Sequence, residues 1–168
     1  MARTIHFTEY GGPEVLRVVD GPAPSAEAGQ VRVAVRAAGV NPVDSKILQG
    51  FMREVMPLAL PAGLGSDVAG VVEQVGADVT ALHVGDEVMG SSLSPALSEY
   101  ALADPANLII KPPEVSWEVA GSVAGAGGTA WSVLDRLQVR AGDTLLVHAA
   151  AGGVGTFAVQ LAVARGAR

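Results

Sequence analysis

The sequence predicts two structural parts, a β-barrel or sandwich up to about residue 110 and then the opening of a βαβ unit of an α/β domain. In the first part, short β-branched segments alternate with glycine and proline turns about every ten residues, which is typical of all-β folds. After Pro112-Pro113 the pattern changes to helical spacing, then to an apolar strand, a glycine cluster and a helix. We therefore predict one domain over residues 1–113 and the start of a second over 114–168.

The strands of the first part are predicted from period-two alternation and from turn residues. In residues 31–36, Val31, Val33 and Val35 alternate with Arg32, Ala34 and Arg36. Asn41-Pro42 predicts a helix entry, with a short helix running to Leu48. The predicted strands are Ile5–Tyr10, Val15–Val19, Val31–Ala37, Gly65–Val75, Ser98–Ala103 and Leu108–Lys111, with one more after a turn at residues 84–88.

The second part contains helical spacing and one strand. Helices are predicted over Trp117–Ala124 and Thr129–Leu137, separated by four residues of which three are glycine. Asp143–Ala149 is predicted as an apolar strand, and Thr156–Arg165 as the helix that follows it. We expect this to be the opening of a βαβ unit, truncated at Arg168 before its second strand.

The segment Ala149–Gly155 is a variant of the dinucleotide-binding glycine turn, with Ala149 where the first glycine usually stands. Gly152 would let a pyrophosphate approach the backbone, and Gly155 would permit close packing of helix and strand. The free amides near Val154 and Gly155 would face the anion. The alternative is an ordinary tight turn. The residue that selects between NADH and NADPH is expected ~20 residues further on, beyond Arg168.

Composition excludes several classes of function. The chain is 49% hydrophobic and 17% charged with a net charge of −6, and it shows no basic stripe, so nucleic acid is not an expected partner. No apolar run has the ~18–20 residues that a membrane span needs, and we predict a cytoplasmic protein. The chain has no cysteine, which excludes disulfides and thiolate-bound zinc. His6, His83 and His148 show no ligand spacing, so no metal site is expected.

Six motifs occur in one order along the whole chain. They are Ala38–Asp44 (AGVNPVD), Gly65–Val72 (GSDVAGVV), Val84–Val88 (VGDEV), Ser98–Tyr100 (SEY), Thr129–Trp131 (TAW) and Val147–Gly155 (VHAAAGGVG). In these motifs the chain resembles the N-terminal portion of the quinone oxidoreductase (zeta-crystallin-like) branch of the medium-chain dehydrogenase/reductase superfamily.

The resemblance implies a GroES-like β-barrel catalytic domain followed by the first βα unit of a Rossmann NADP-binding domain. It implies an enzyme that transfers hydride from NADPH to a small-molecule quinone or activated enone, and a homodimer in the full-length form. Zinc alcohol dehydrogenases share the architecture, but they have cysteine at the position of Asn41 and Gly-His-Glu at that of Gly65-Ser66-Asp67. Those replacements predict a zinc-independent enzyme.

The same resemblance assigns site residues. It implies that Asn41 and Asp44 are catalytic and that Asn41 and Thr129 contact the cofactor. Three alternatives remain: Asn41 as a turn or cap residue, Asp44 as a first-turn helix carboxylate, and Thr129 as a helix N-cap. The other predicted cofactor-binding residues are Ala151, Gly152, Gly153, Val154 and Gly155.

Lys46 departs from the family, which often has an aromatic residue there; a solvent-facing lysine is favoured over one that binds an anionic acceptor. His148 is interpreted as a partly buried structural histidine rather than a catalytic one.

Two other functions remain open. One is a truncated, catalytically silent domain that retains binding or assembly, and the other is a non-enzymatic lens-type or RNA-binding relative, which the acidic charge disfavours.

Overall fold

The computed structural model describes residues Met1–Arg168. Internal contacts divide the chain into two compact units, Met1–Ser122 and Val123–Arg168, and each is described by itself. The predicted domain boundary at Pro113 stays a prediction. None of the helices is both long and apolar enough to cross a lipid bilayer.

The first unit consists of two antiparallel sheets and a short helix. One sheet has the order β2-β1-β4 and the other the order β7-β3-β5-β6-β8. Helix α1 follows β3 along the chain. The strands are β1 (Ala2–Phe7), β2 (Arg17–Gly21), β3 (Val31–Gly39), β4 (Ala62–Gly63), β5 (Asp67–Val75), β6 (Glu87–Ser91), β7 (Tyr100–Ala103) and β8 (Leu108–Ile110), and helix α1 is Pro42–Leu48.

The predicted alternation in β3 is confirmed, because Val31 and Val33 are fully buried while Arg32 pairs with Glu73 at 3.1 Å. These valines pack with Val68, Val72 and Val88 from the neighbouring strands. Burying a side chain of this size stabilises the fold by roughly 1.5–3 kcal/mol. The apolar face of the five-stranded sheet is therefore the main core of the unit.

Polar contacts join strand ends that are distant in sequence. The Arg3 guanidinium lies 2.7 Å from the Glu99 carboxylate, and the Arg3 backbone N–H and guanidinium together lower the pKa of Glu99. A second ion pair involves the buried side chain of Lys111. Its ammonium donates to the carbonyls of Pro112 and Val115, pairs with Glu87 at 3.1 Å and lies 4.7 Å from the Trp117 ring.

The predicted pair of helices is wrong, because one continuous helix, α2 (Trp117–Arg136), spans the glycine-rich residues 125–128. Alanine and the long flanking helical segments outweigh the unfavourable helix propensity of the three glycines, which is roughly 1 kcal/mol each. Gly127 also has a packing role, since a Cβ there would approach Val123 and Phe157. Helix α3 (Gly153–Ala164) begins three residues earlier than predicted.

The predicted strand Asp143–Ala149 is not part of a β-ladder in the structure. A strand requires a hydrogen-bonded partner strand, and the segment makes only two backbone hydrogen bonds to the end of the chain: Leu145 N–H donates to the Arg168 carbonyl at 2.8 Å, and Arg168 N–H donates to the Asp143 carbonyl at 2.9 Å. This is a parallel bridging pattern. The expectation that the chain is truncated before the second strand stays a prediction.

Candidate functional site

Asn41 stands at the N-cap of α1, immediately after β3. Its backbone is extended, with φ of −115° and ψ of 158°, and Pro42 occupies the first helical position. The side-chain Nδ2 donates to Oδ2 of Asp67 at 3.0 Å. The structure thus has the cap geometry of one sequence alternative, while the side chain remains half-buried with part of its surface accessible.

Asp44 is buried, and both of its carboxylate oxygens accept backbone hydrogen bonds. Asn41 N–H donates to Oδ2 at 2.7 Å, and Gly65 N–H donates to Oδ1 at 3.1 Å. In return, Asp44 N–H donates to the Asn41 carbonyl at 2.9 Å. This is the geometry of a first-turn helix carboxylate that also ties the Gly65 turn to α1.

The sequence analysis interprets Asp67 only as the residue that replaces a zinc ligand, and it does not predict the contact with Asn41. It is 1% exposed at the start of β5, where it pairs in register with Gly39. The signal in the sequence was a carboxylate directly before the buried run Val68-Ala69. Asn41, Asp44, Gly65 and Asp67 together form one hydrogen-bonded cluster, referred to below as the Asn41 cluster.

The glycine turn in the second unit has a different make-up. Gly152 caps α3 and donates its N–H to the Ala149 carbonyl at 2.9 Å. A Cβ at Gly155 would lie 2.3 Å from the Ala149 carbonyl oxygen and 2.7 Å from the Ala150 Cα, so this position accepts only glycine. A Cβ at Gly152 would meet just the Ala149 oxygen at 3.3 Å, and residues 151–154 are exposed.

The turn therefore presents backbone to solvent at a helix N-terminus, where the first amides have no intrahelical acceptor. Ala149 adopts φ of 53°, in the left-handed region that favours the glycine usually found there. Beside the turn, Gly152 and Gly155 border an apolar groove of about 340 Å³ whose other walls include Leu134 and Leu145. An open backbone cradle of this kind fits a pyrophosphate.

Three other predicted positions have clear surroundings. Thr129 is not a helix N-cap, because it lies inside α2, where it is exposed and its hydroxyl donates to the Gly125 carbonyl at 2.6 Å. His148 is exposed, so its interpretation as a partly buried histidine is wrong. Its segment forms no ladder that would cover it. Lys46 is exposed, as expected.

The family model described as "Alcohol dehydrogenase GroES-like domain" matches residues 27–130. A quinone oxidoreductase of Pseudomonas aeruginosa is 40% identical over 168 residues, which cover 99% of this chain and 51% of that protein. The chain therefore spans about half the length of the curated relatives that it matches.

Two solved structures have the same fold. The quinone oxidoreductase from Coxiella burnetii superimposes with a TM-score of 0.92 at 39% identity, over 99% of this chain and 54% of that one. The Escherichia coli quinone oxidoreductase complexed with NADPH superimposes with a TM-score of 0.86 at 33% identity, over 100% of this chain and 51% of that one. These similarities confirm the resemblance drawn from the six motifs and the predicted fold class.

Proposed function

We propose that this chain, which belongs to the alcohol dehydrogenase GroES-like domain family, is part of a zinc-independent reductase that transfers hydride from NADPH to quinones or activated enones. The observation that carries the proposal is the glycine turn, in which Gly155 is sterically required and Gly152 leaves the backbone open. The names of the relatives support the quinone as acceptor, and the NADPH complex of one of them supports the cofactor.

The residues that would hold NADPH are those of the turn. The backbone of Ala151, Gly152, Gly153, Val154 and Gly155 would line the pyrophosphate. Because the Gly152 N–H already donates to Ala149, the donors would be the amides of the first turn of α3. Thr129 is a further proposed contact; because its hydroxyl proton is directed to the Gly125 carbonyl, its oxygen would accept a hydrogen bond. Bound NADPH supplies the hydride, and the protein supplies orientation.

The Asn41 cluster supports a mechanism without zinc. Zinc in catalytic sites is bound by thiolates, imidazoles and carboxylates, usually three together. Here the Asn41 amide nitrogen donates a hydrogen bond to one carboxylate oxygen of Asp67. Ser66 offers only a neutral hydroxyl. This donor set does not fit a catalytic zinc ion, and no step of the mechanism is assigned to a metal.

Within the reductase, Asn41 would contact the acceptor and the nicotinamide, and Asp44 would act through the position of Asn41. Reduction of a quinone or enone places negative charge on an oxygen, and a fixed N–H donor stabilises such charge. Of the two Nδ2 protons of Asn41, one is directed to Asp67. The second is the donor that we assign to the developing oxyanion.

The test combines binding and turnover. Titration of NADPH with this chain and with the full-length enzyme should quench cofactor or protein fluorescence, and the enzyme should oxidise NADPH when a quinone is added. Binding by the full-length protein without turnover on quinones or enones would instead support the catalytically silent alternative. Zinc stoichiometry after chelator treatment is measured in parallel, and one retained zinc per active chain would contradict the zinc-free mechanism.

A further inference from the structure

We propose that Asp67 is a positioning residue, which fixes the orientation of the Asn41 carboxamide so that the second N–H of its NH₂ group faces the acceptor. This inference rests on the proposed function, because it assigns Asn41 to the reacting end of the site. It adds a residue that is 1% exposed and therefore acts only through its neighbours.

The argument begins with what each group can donate. A carboxamide can present either its NH₂ or its oxygen to a neighbour, and the two orientations differ by a half-turn of the group. An ionised carboxylate only accepts hydrogen bonds. Asp67 Oδ2 lies 3.0 Å from Asn41 Nδ2, so the amide must turn its nitrogen toward Asp67. The carboxylate thus selects one of the two orientations.

The position of Asp67 is itself narrowly defined. It pairs in register with Gly39, the last residue of β3, two residues before Asn41. A Cβ at Gly39 would lie 2.9 Å from Asp67 Cβ, 3.0 Å from Asp67 Oδ2 and 2.6 Å from the Gly121 carbonyl oxygen. The glycine therefore allows backbone to approach the carboxylate closely, and this leaves the Asp67 side chain little room to move.

The charge of Asp67 strengthens this control. A hydrogen bond to an ionised acceptor is roughly twice as strong as one between neutral groups, more so in a buried setting. Asn41 is also held from its backbone side, because its N–H donates to Asp44 Oδ2 at 2.7 Å. Two buried carboxylates therefore hold Asn41 in place. Asp44 fixes the position of its backbone, and Asp67 fixes the orientation of its side chain.

The first test uses the wild-type chain and needs no turnover. The chain has two asparagines, Asn41 and Asn107, so selective ¹⁵N-asparagine labelling gives two side-chain NH₂ signals. Asn107 is exposed and serves as the internal control. We expect the Asn41 Nδ2 proton that is directed to Asp67 to exchange with solvent at least about tenfold more slowly than the Asn107 side-chain protons, as for a charge-assisted hydrogen bond. Equal exchange rates at the two asparagines would overturn the proposal.

The second test uses the intact enzyme and two variants. Asp67→Asn keeps the shape of the side chain but lets the two amides pair in either orientation, so kcat should fall by at least about tenfold with the KM for NADPH nearly unchanged. The double variant Asn41→Asp with Asp67→Asn restores one hydrogen bond with donor and acceptor exchanged. It should recover thermal stability but not kcat.

The outcomes separate the possible roles. If the reversed pair restores both stability and kcat, or if Asp67→Asn keeps kcat within about twofold, Asp67 is merely structural and the proposal is wrong. Should Asp67→Asn fail to fold, the proposal is still tested by the exchange measurement and by the double variant Asn41→Asp with Asp67→Asn. If wild-type enzyme lacks NADPH-dependent reduction while Asn41 is protected, the proposed function fails and the orientation of Asn41 stands.

Discussion

Around Asn41 the polar side chains bond to one another and to backbone amides, whereas the turn Ala149–Gly155 has no polar side chain at all. The Asn41 cluster is largely buried and depends on carboxylates that must be satisfied in the folded state. The glycine turn is exposed and depends on the absence of Cβ atoms. In the first region the chemistry resides in side chains, and in the second the backbone itself is the binding surface.

The difference predicts that the two regions fail under different substitutions. A single added methyl group should be severe at Gly155 of the turn, where backbone atoms leave no room. Loss of a carboxylate should be severe in the cluster, where backbone amides would lose their acceptor. The predictions below test this contrast, from the largest expected effect to the smallest.

Gly155→Ala should lower the free energy of unfolding by about 3 kcal/mol, because the new Cβ would lie 2.3 Å from the Ala149 carbonyl oxygen and cannot be relieved by a side-chain rotation. Urea titration followed by circular dichroism measures the change. The matched control is Gly153→Ala, whose Cβ would meet only Ala126 at 3.7 Å and should leave stability unchanged or slightly raised. Equal effects at the two glycines would contradict the steric account of the turn.

Asp44→Ala should lower the free energy of unfolding by about 2 kcal/mol, because the amides of Asn41 and Gly65 would lose a charged acceptor in a buried setting. The control is Asp135→Ala, which removes an exposed carboxylate from α2 and should change stability by less than about 0.5 kcal/mol. Thermal and urea unfolding of both variants compare them. A loss of activity by Asp44→Ala with unchanged stability would instead favour a directly catalytic carboxylate.

Gly152→Val should weaken NADPH binding at least tenfold, about 1.4 kcal/mol, since a branched side chain would stand where the pyrophosphate approaches. The fold should remain intact, because a Cβ at this position meets only one atom, at 3.3 Å. Gly128→Val, at a site in α2 with no atom within 4 Å of the added Cβ, is the control for the same substitution. Unchanged NADPH titration of Gly152→Val would make the turn merely structural.

Ala149→Gly should raise the free energy of unfolding by about 0.5–1 kcal/mol, because φ of 53° is unfavourable for alanine and accessible to glycine. The gain is partly offset by the greater freedom of glycine in the unfolded chain. The matched control is Ala150→Gly, at a residue that does not have a positive φ, and this change should lower the free energy of unfolding. A destabilised Ala149→Gly variant would show that the left-handed conformation carries little strain.

The sequence alone determined the features that depend on short-range pattern. Alternation predicted β3, Asn41-Pro42 predicted the start of α1, and the glycine-rich segment before a helical pattern predicted the turn at the start of α3. Each of these is set by residues within about ten positions of one another, where side-chain period, capping and φ preferences act directly.

The tertiary structure decided whatever depends on distant partners. The bond between Asn41 and Asp67 joins residues 26 positions apart through the β3–β5 register, and Lys111 is buried because Glu87 and nearby carbonyls surround it. The glycines at 125–128 are helical because long helical segments and packing outweigh local propensity, and Asp143–Ala149 forms no ladder because a strand requires a paired neighbour. Local pattern specifies what a segment can become, and the contacts available to it in the folded chain select among those states.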